Sequence, residues 1–150
     1  MTGSDELLLK IKPLEDRGLL RTGADDAVVN SINERFPFIG SKIDWGAIPG
    51  SIVKRLSSTD EMAECISFMA DCLKGMEKAS PVVIIGDGVM QFKIETNLSN
   101  IECCFYDVLE LPQHTYITTP LCEWCLVFTM EGDMCFGYAP PIDLTPVASN

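Results

Sequence analysis

The chain has 150 residues, 47% of them hydrophobic, with 22 acidic and 11 basic side chains and a net charge of −11. That length suits one domain with a real core, and the apolar content excludes a disordered chain. No apolar run approaches the roughly 20 residues that cross a bilayer, which excludes a helical membrane protein.

The charge is unevenly placed. Residues 1–78 carry ten of the eleven bases against thirteen acids, whereas residues 79–150 carry nine acids and one base, Lys93. A surface of that sign repels phosphates, so no nucleic acid partner is expected. It attracts basic proteins and speeds their encounter, although solubility alone is the plainer use of the same charge. The opening MTGSDELLLKIK puts acids ahead of a short apolar stretch and has no basic region, so no signal peptide is expected. Seven cysteines, an odd number, then read as reduced thiols of a cytoplasmic protein.

In chain order, residues 5–10 predict a short helix limited by Pro13 and Gly18. Ala24 to Arg35 predicts a second, with Thr22 or Asp25 near its start, Ala27, Val28, Ile32 and Phe36 on its apolar side, and Pro37 as its stop. Phe38 to Arg55 is broken by Gly40, Gly46, Pro49 and Gly50 and reads as loop, with a helical turn over Pro49 to Leu56. Trp45 is expected to pack beneath it. Ser58 and Glu61 have the spacing of a capping box and predict a helix from Asp60 to Lys78. Its stripe of Met62, Cys65, Ile66, Met69, Cys72, Leu73 and Met76 is unbroken. The three methionines in it are ordinary core gap-fillers.

Pro81 leads into the short buried strand Val82 to Ile85. Gly86-Asp87-Gly88 then turns the chain in a tight hairpin to Val89–Glu95. Neither a third glycine nor a lysine-serine pair follows, so Gly86-x-Gly88 is a turn and not a phosphate loop. Ile101 to Pro112 predicts a helix with Cys104, Phe105, Val108 and Leu109 inward, and His114 to Thr118 a strand. Leu121 to Pro140 reads as a hairpin about Glu131-Gly132-Asp133. Its parity puts Trp124, Leu126, Phe128, Met130, Met134, Phe136 and Tyr138 on one face. Cys125, Val127, Thr129, Cys135 and Gly137 form the other face, so both faces should be covered. The proline-rich end, residues 141–150, predicts a frayed tail. The expected fold class is therefore α+β. It is a single domain, mainly helical over 1–78 and mainly strands with one helix over 79–140, whose mostly antiparallel sheet comes from the second half and is covered by helices.

No catalytic motif is present. Cys122 and Cys125 have knuckle spacing, but residues three apart on a strand project to opposite faces, and a zinc site needs a second pair. Neither a metal nor another cofactor is expected. His114 is the only histidine, so any Cys–His chemistry must use it. The second-half carboxylates are the stronger candidates for partner binding. Asp87, Glu131 and Asp133 lie in turns, Glu123 near the hairpin's start, and Asp107 and Glu110 on the polar side of the later helix. Carboxylates so placed pair with arginines of a partner.

The segment LPQHTYI followed by WCLVFTMEGDMCFGYAP resembles the small cytosolic immunity proteins of bacterial toxin systems, including contact-dependent growth inhibition. The resemblance extends over roughly residues 101–150. It implies a non-enzymatic acidic protein that binds a cognate toxin domain, often a basic nuclease, and blocks its active site or an essential surface. It implies neither a fold nor particular contact residues, and the seven cysteines have no place in it. The alternative reading is a small cysteine-dependent enzyme or metal-binding protein using His114 with Cys122 or Cys125. A third is a structural or adaptor subunit.

Overall fold

The computed structural model describes residues 2–141. The tail expected at 141–150 falls outside them except for Pro141. Thr2 caps the first helix, α1 (Gly3–Asp16), in a reciprocal box with Asp5. This helix runs past the stop expected at Pro13. The N–H that proline lacks would have reached the carbonyl of Leu9, a residue 63% exposed, so the missing bond falls on the solvent side of the helix, where it costs least. β1 (Arg21–Gly23) follows, and Thr22 belongs to it and not to a helix cap. α2 (Asp26–Arg35) buries Val28 and Ile32, and Phe36 is buried just beyond it.

Phe38 to Arg55 differs most from its expectation as loop. It forms the small hairpin β2 (Phe38–Ile39) and β3 (Lys42–Ile43), a single 3-10 turn (Trp45–Ala47) and the strand β4 (Ile52–Arg55). The helical turn expected over 49–56 is absent, because Ile52 to Arg55 pairs with a strand far along the chain. Trp45 packs as expected, half-buried against the ring-free backbone at Gly137.

α3 (Glu61–Cys72) carries the expected stripe, but its cap is Asp60, whose carboxylate accepts from Ala63 N–H, and not Ser58. Glu64 reaches back to the Ser57 and Ser58 amides instead. The helix closes early at Cys72, ahead of a turn in which Gly75 holds φ +86°; Leu73 and Met76 still pack on the core. β5 (Pro81–Gly86) and β6 (Lys93–Asn97) form a hairpin, with six residues between them where a tight turn was expected. α4 (Glu102–Leu109), β7 (Thr115–Thr118), β8 (Trp124–Phe128) and β9 (Asp133–Tyr138) complete the order.

The α+β class holds. One antiparallel sheet has the order β1-β6-β5-β7-β8-β9-β4. Its central strands come from the second half of the chain, but both edges come from the first. On one face α1, α3 and α4 bury Leu7, Ile11, Phe68 and Phe105 against Ile84, Ile117, Leu126 and Met134. Phe128 sits edge-on to Phe68 and Phe105, with centroids 6.4 and 5.4 Å away. On the other face α2 and the 36–48 segment cover Val83, Ile85, Tyr116, Cys125, Val127 and Cys135.

The two-faced hairpin is therefore present, with its turn displaced. Leu126 opposes Phe136, Phe128 opposes Met134, and the loop is Met130-Glu131-Gly132 with Gly132 at φ +90°. Asp133 N–H donates to the Thr129 hydroxyl and Gly132 N–H to the Thr129 carbonyl, which fixes that register. The loop remains odd, so side-chain parity survives. Met130 and Tyr138, expected inward, are 60% and 58% exposed.

Candidate functional site

Three turns meet at one end of the sheet. β5 leads there into Asp87, β7 begins there after His114, and β8 turns into β9 through Glu131. The Asp87 carboxylate accepts the His114 N–H at 2.8 Å, and the Asp87 N–H returns to the His114 carbonyl at 3.2 Å. Nδ1 of His114 accepts the Met130 N–H at 2.9 Å, so the largely buried imidazole ties the β8–β9 turn to β7. Its Nε2 lies 3.9 Å from Asp87 Oδ2, and its Nδ1 lies 3.7 Å from Glu131 Oε2. Beside this knot, Gln113 is buried and its Oε1 accepts the Met90 N–H. A Cβ at Gly86 would overlap the Gln113 amide, so that side chain keeps its place only beside a glycine.

The acids read from the sequence divide by position. Glu131 pairs with Lys42 at 3.0 Å, and that ammonium holds its carboxyl below the usual carboxylate range. Asp133 pairs with Arg55 at 3.2 Å. Both line a 410 Å³ cleft whose floor is Met62, Cys65, Phe128 and Met134. Glu61 joins them there; sequence reasoning had assigned it to a helix cap, and only the shift of that cap to Asp60 frees it. Asp107 sits on α4, 4.0 Å from Lys10 of α1. Glu110 is the C-cap of α4. Glu123 lies before β8, at the opposite end of the sheet. The structure thus brings Asp87 and Glu131 to His114, sets Asp133 beside Glu131 on the cleft, places Asp107 and Glu110 on the neighbouring helix, and leaves Glu123 apart.

Contrary to expectation, Cys122 and Cys125 do not face opposite ways. Cys122 precedes β8 with φ +53°, a left-handed backbone uncommon outside glycine, and this turns its thiol into the same core as Cys125 and Cys135. Burial pushes the Cys122 thiol up, Cys125 well up and Cys135 up to about 12, the reverse of what a nucleophile needs. Among the described residues no group of three or more His, Cys, Asp or Glu side chains is arranged to hold a metal ion. His114 does not meet either cysteine. It sits at the start of β7, whereas Thr118 at the strand's far end is the residue opposite Cys125, about 13 Å along at ~3.3 Å per residue.

A larger cleft of 590 Å³ lies between α2 and the β1–β6 edge, but the charges lining it, Arg21, Lys93 and Glu95, are paired with one another. Among the described residues no helix is long and apolar enough to cross a membrane. No protein-family model matches this chain, and no curated protein matches it.

Proposed function

We propose that this chain is a cytoplasmic immunity protein that binds a cognate toxin domain, basic and nuclease-type, and neutralises it through the acidic end of its sheet. The observation that carries the reading is the placement of Asp87, in one turn, and of Glu131 and Asp133, in another, at the same end of the sheet, on the half of the chain that contributes most of the net charge. Charge of that sign steers a basic partner to the site, and the exposed Met130 and the cleft floor then offer apolar surface to bury. Lys42 and Arg55 hold Glu131 and Asp133 in place until the partner's bases compete for them.

Affinity capture of the tagged protein from its host, eluted stepwise with salt, tests this directly. Retention of one basic toxin or toxin fragment, released by salt, supports it; recovery of the bare protein sinks it. With a partner in hand, charge reversal at Asp87, Glu131 and Asp133 should slow association and flatten its salt dependence, while Glu123 reversal should do little.

The enzyme reading is tested by thiol chemistry. Cys103 is the exposed cysteine, and it alone should react rapidly with a thiol reagent in the native protein. Rapid reaction at Cys122 or Cys125, or tightly bound metal in the purified protein, would favour the enzyme reading instead.

A further inference from the structure

We infer that the cleft beside Asp87 is a receptor for one basic side chain, arginine or lysine, of a protein partner; this rests on the binding reading above. The cleft measures 170 Å³ and lies on the α2 face of the sheet. Cavities of about 150 Å³ hold a benzene-sized ligand, so the space suits a single side chain and not a cofactor. Its walls are Val29 and Ile32 from α2, Phe38 from β2 and Ile85 from β5, which match the methylene stem of a long basic residue.

Two polar groups at this cleft are placed to meet a cation. The first is the Asp87 carboxylate. Glu131 has Lys42, Asp133 has Arg55 and Asp107 has Lys10, but among the described residues no lysine or arginine lies within ion-pair distance of Asp87. One of its oxygens is fixed by the His114 N–H at 2.8 Å, which orients the group, and the other is 3.9 Å from His114 Nε2, beyond hydrogen-bond reach. The second is the phenol of Tyr116. Tyr116 is 93% buried and lines the cleft, yet its hydroxyl makes no hydrogen bond among the described residues. Burial and the adjacent Asp87 charge push that hydroxyl's pKa up, so it stays a neutral donor or acceptor. That hydroxyl is not sealed away from solvent, so a ligand group that bonds it exchanges a water contact for a direct one. A cation entering here meets a carboxylate at the rim and the aromatic rings of Tyr116 and Phe38 along its path, the composition that recognises ammonium and guanidinium groups.

Titration of the full chain with capped amino acids, followed by amide and methyl NMR shifts, tests the inference without knowledge of the partner. N-acetyl-arginine methylamide and N-acetyl-lysine methylamide are the probes, and N-acetyl-norleucine methylamide is the uncharged control. At least one cationic probe should shift Gly86, Asp87, Tyr116 and the Ile85 methyls saturably, with the control weaker by about tenfold, the worth of one charge-assisted contact. Asp87→Asn should abolish that preference. Its amide oxygen still accepts the His114 N–H, and an unchanged urea midpoint verifies that the fold is intact. Tyr116→Phe should weaken the cationic probe several-fold and leave the control unaffected. Equal binding of all three probes, indifference to Asp87→Asn, or no saturable shift at these residues overturns the inference. Such a failure would leave capture of a basic toxin standing as evidence for the broader reading. Probe binding with no toxin captured would keep the receptor cleft and discard the toxin.

Discussion

The two faces of the sheet are buried by different means. Three helices close one face over large apolar side chains, and Ile84, Ile117, Leu126 and Met134 there are fully inaccessible. The other face has one helix and an irregular segment over three cysteines, a tyrosine and smaller aliphatic residues. The thicker cover gives stability. The thinner one leaves the 170 and 590 Å³ clefts, and it is where unpaired polar groups reach solvent. The 410 Å³ cleft opens instead where α3 meets the end of the sheet, so a ligand meets this protein either on its α2 face or at that end, and the rest of the helical face serves as the support.

Ile84 and Ile85 put this contrast to the test with identical chemistry, since they are neighbours on β5 pointing to opposite faces. Ile84→Ala removes packing from the closed core and should cost about 3–5 kcal/mol; Ile85→Ala opens onto a cleft wall and should cost about 2–3 kcal/mol. Urea midpoints at unchanged m-value measure both. Equal costs would mean that the α2 face is packed as tightly as the helical one.

What could be read from the sequence follows the same division. The α3 stripe, α4 and the β8–β9 hairpin were legible because each carries its own periodicity over many residues. β1 and β4 were not, being three and four residues long and strands only because β6 and β9 offer them an edge. Likewise the turn register depends on hydrogen bonds that Thr129 accepts from Gly132 and Asp133 N–H, which no apolar pattern encodes. Asp87, Glu131 and Asp133 could be named individually from turn composition, but the approach of Asp87 and Glu131 to His114 follows from strand order. Tyr116 and Lys42 carried no signal at all. The left-handed backbone of Cys122 reversed a sound geometric argument, because parity rules apply only inside a strand.

A second substitution measures how far the thin cover yields. A Cβ added at Gly137 would lie 3.0 Å from Trp45 Cζ3 and 3.2 Å from Ser51 Cβ. The Ser51 hydroxyl donates to the Trp45 carbonyl, so the two move together. Gly137→Ala should cost about 1–3 kcal/mol and expose Trp45 to an aqueous quencher, while the buried Trp124 stays protected. A full cost with Trp45 still shielded would show a cover as stiff as the helices opposite.

The smallest effect concerns charge on that same face. Glu95 pairs with Lys93 and Arg21, and the Lys93 contact, outweighing the opposite effect of partial burial, holds its carboxyl below the usual range. A carboxyl depressed in the folded state stabilises above its unfolded pKa, and the contribution is lost as pH falls through the lower folded value. Its worth is at most about 1 kcal/mol, since the side chain is 31% exposed and screened by solvent. Urea midpoints for the native chain and Glu95→Gln should therefore differ most near neutral pH and converge on the acid side of about pH 4. Other depressed carboxyls, Glu64 and Glu131 among them, titrate in both proteins and cancel in the difference. A gap that persisted into acid would mean that Glu95 acts by filling space beside α2, and this face would then owe its stability to packing alone, like the helical face.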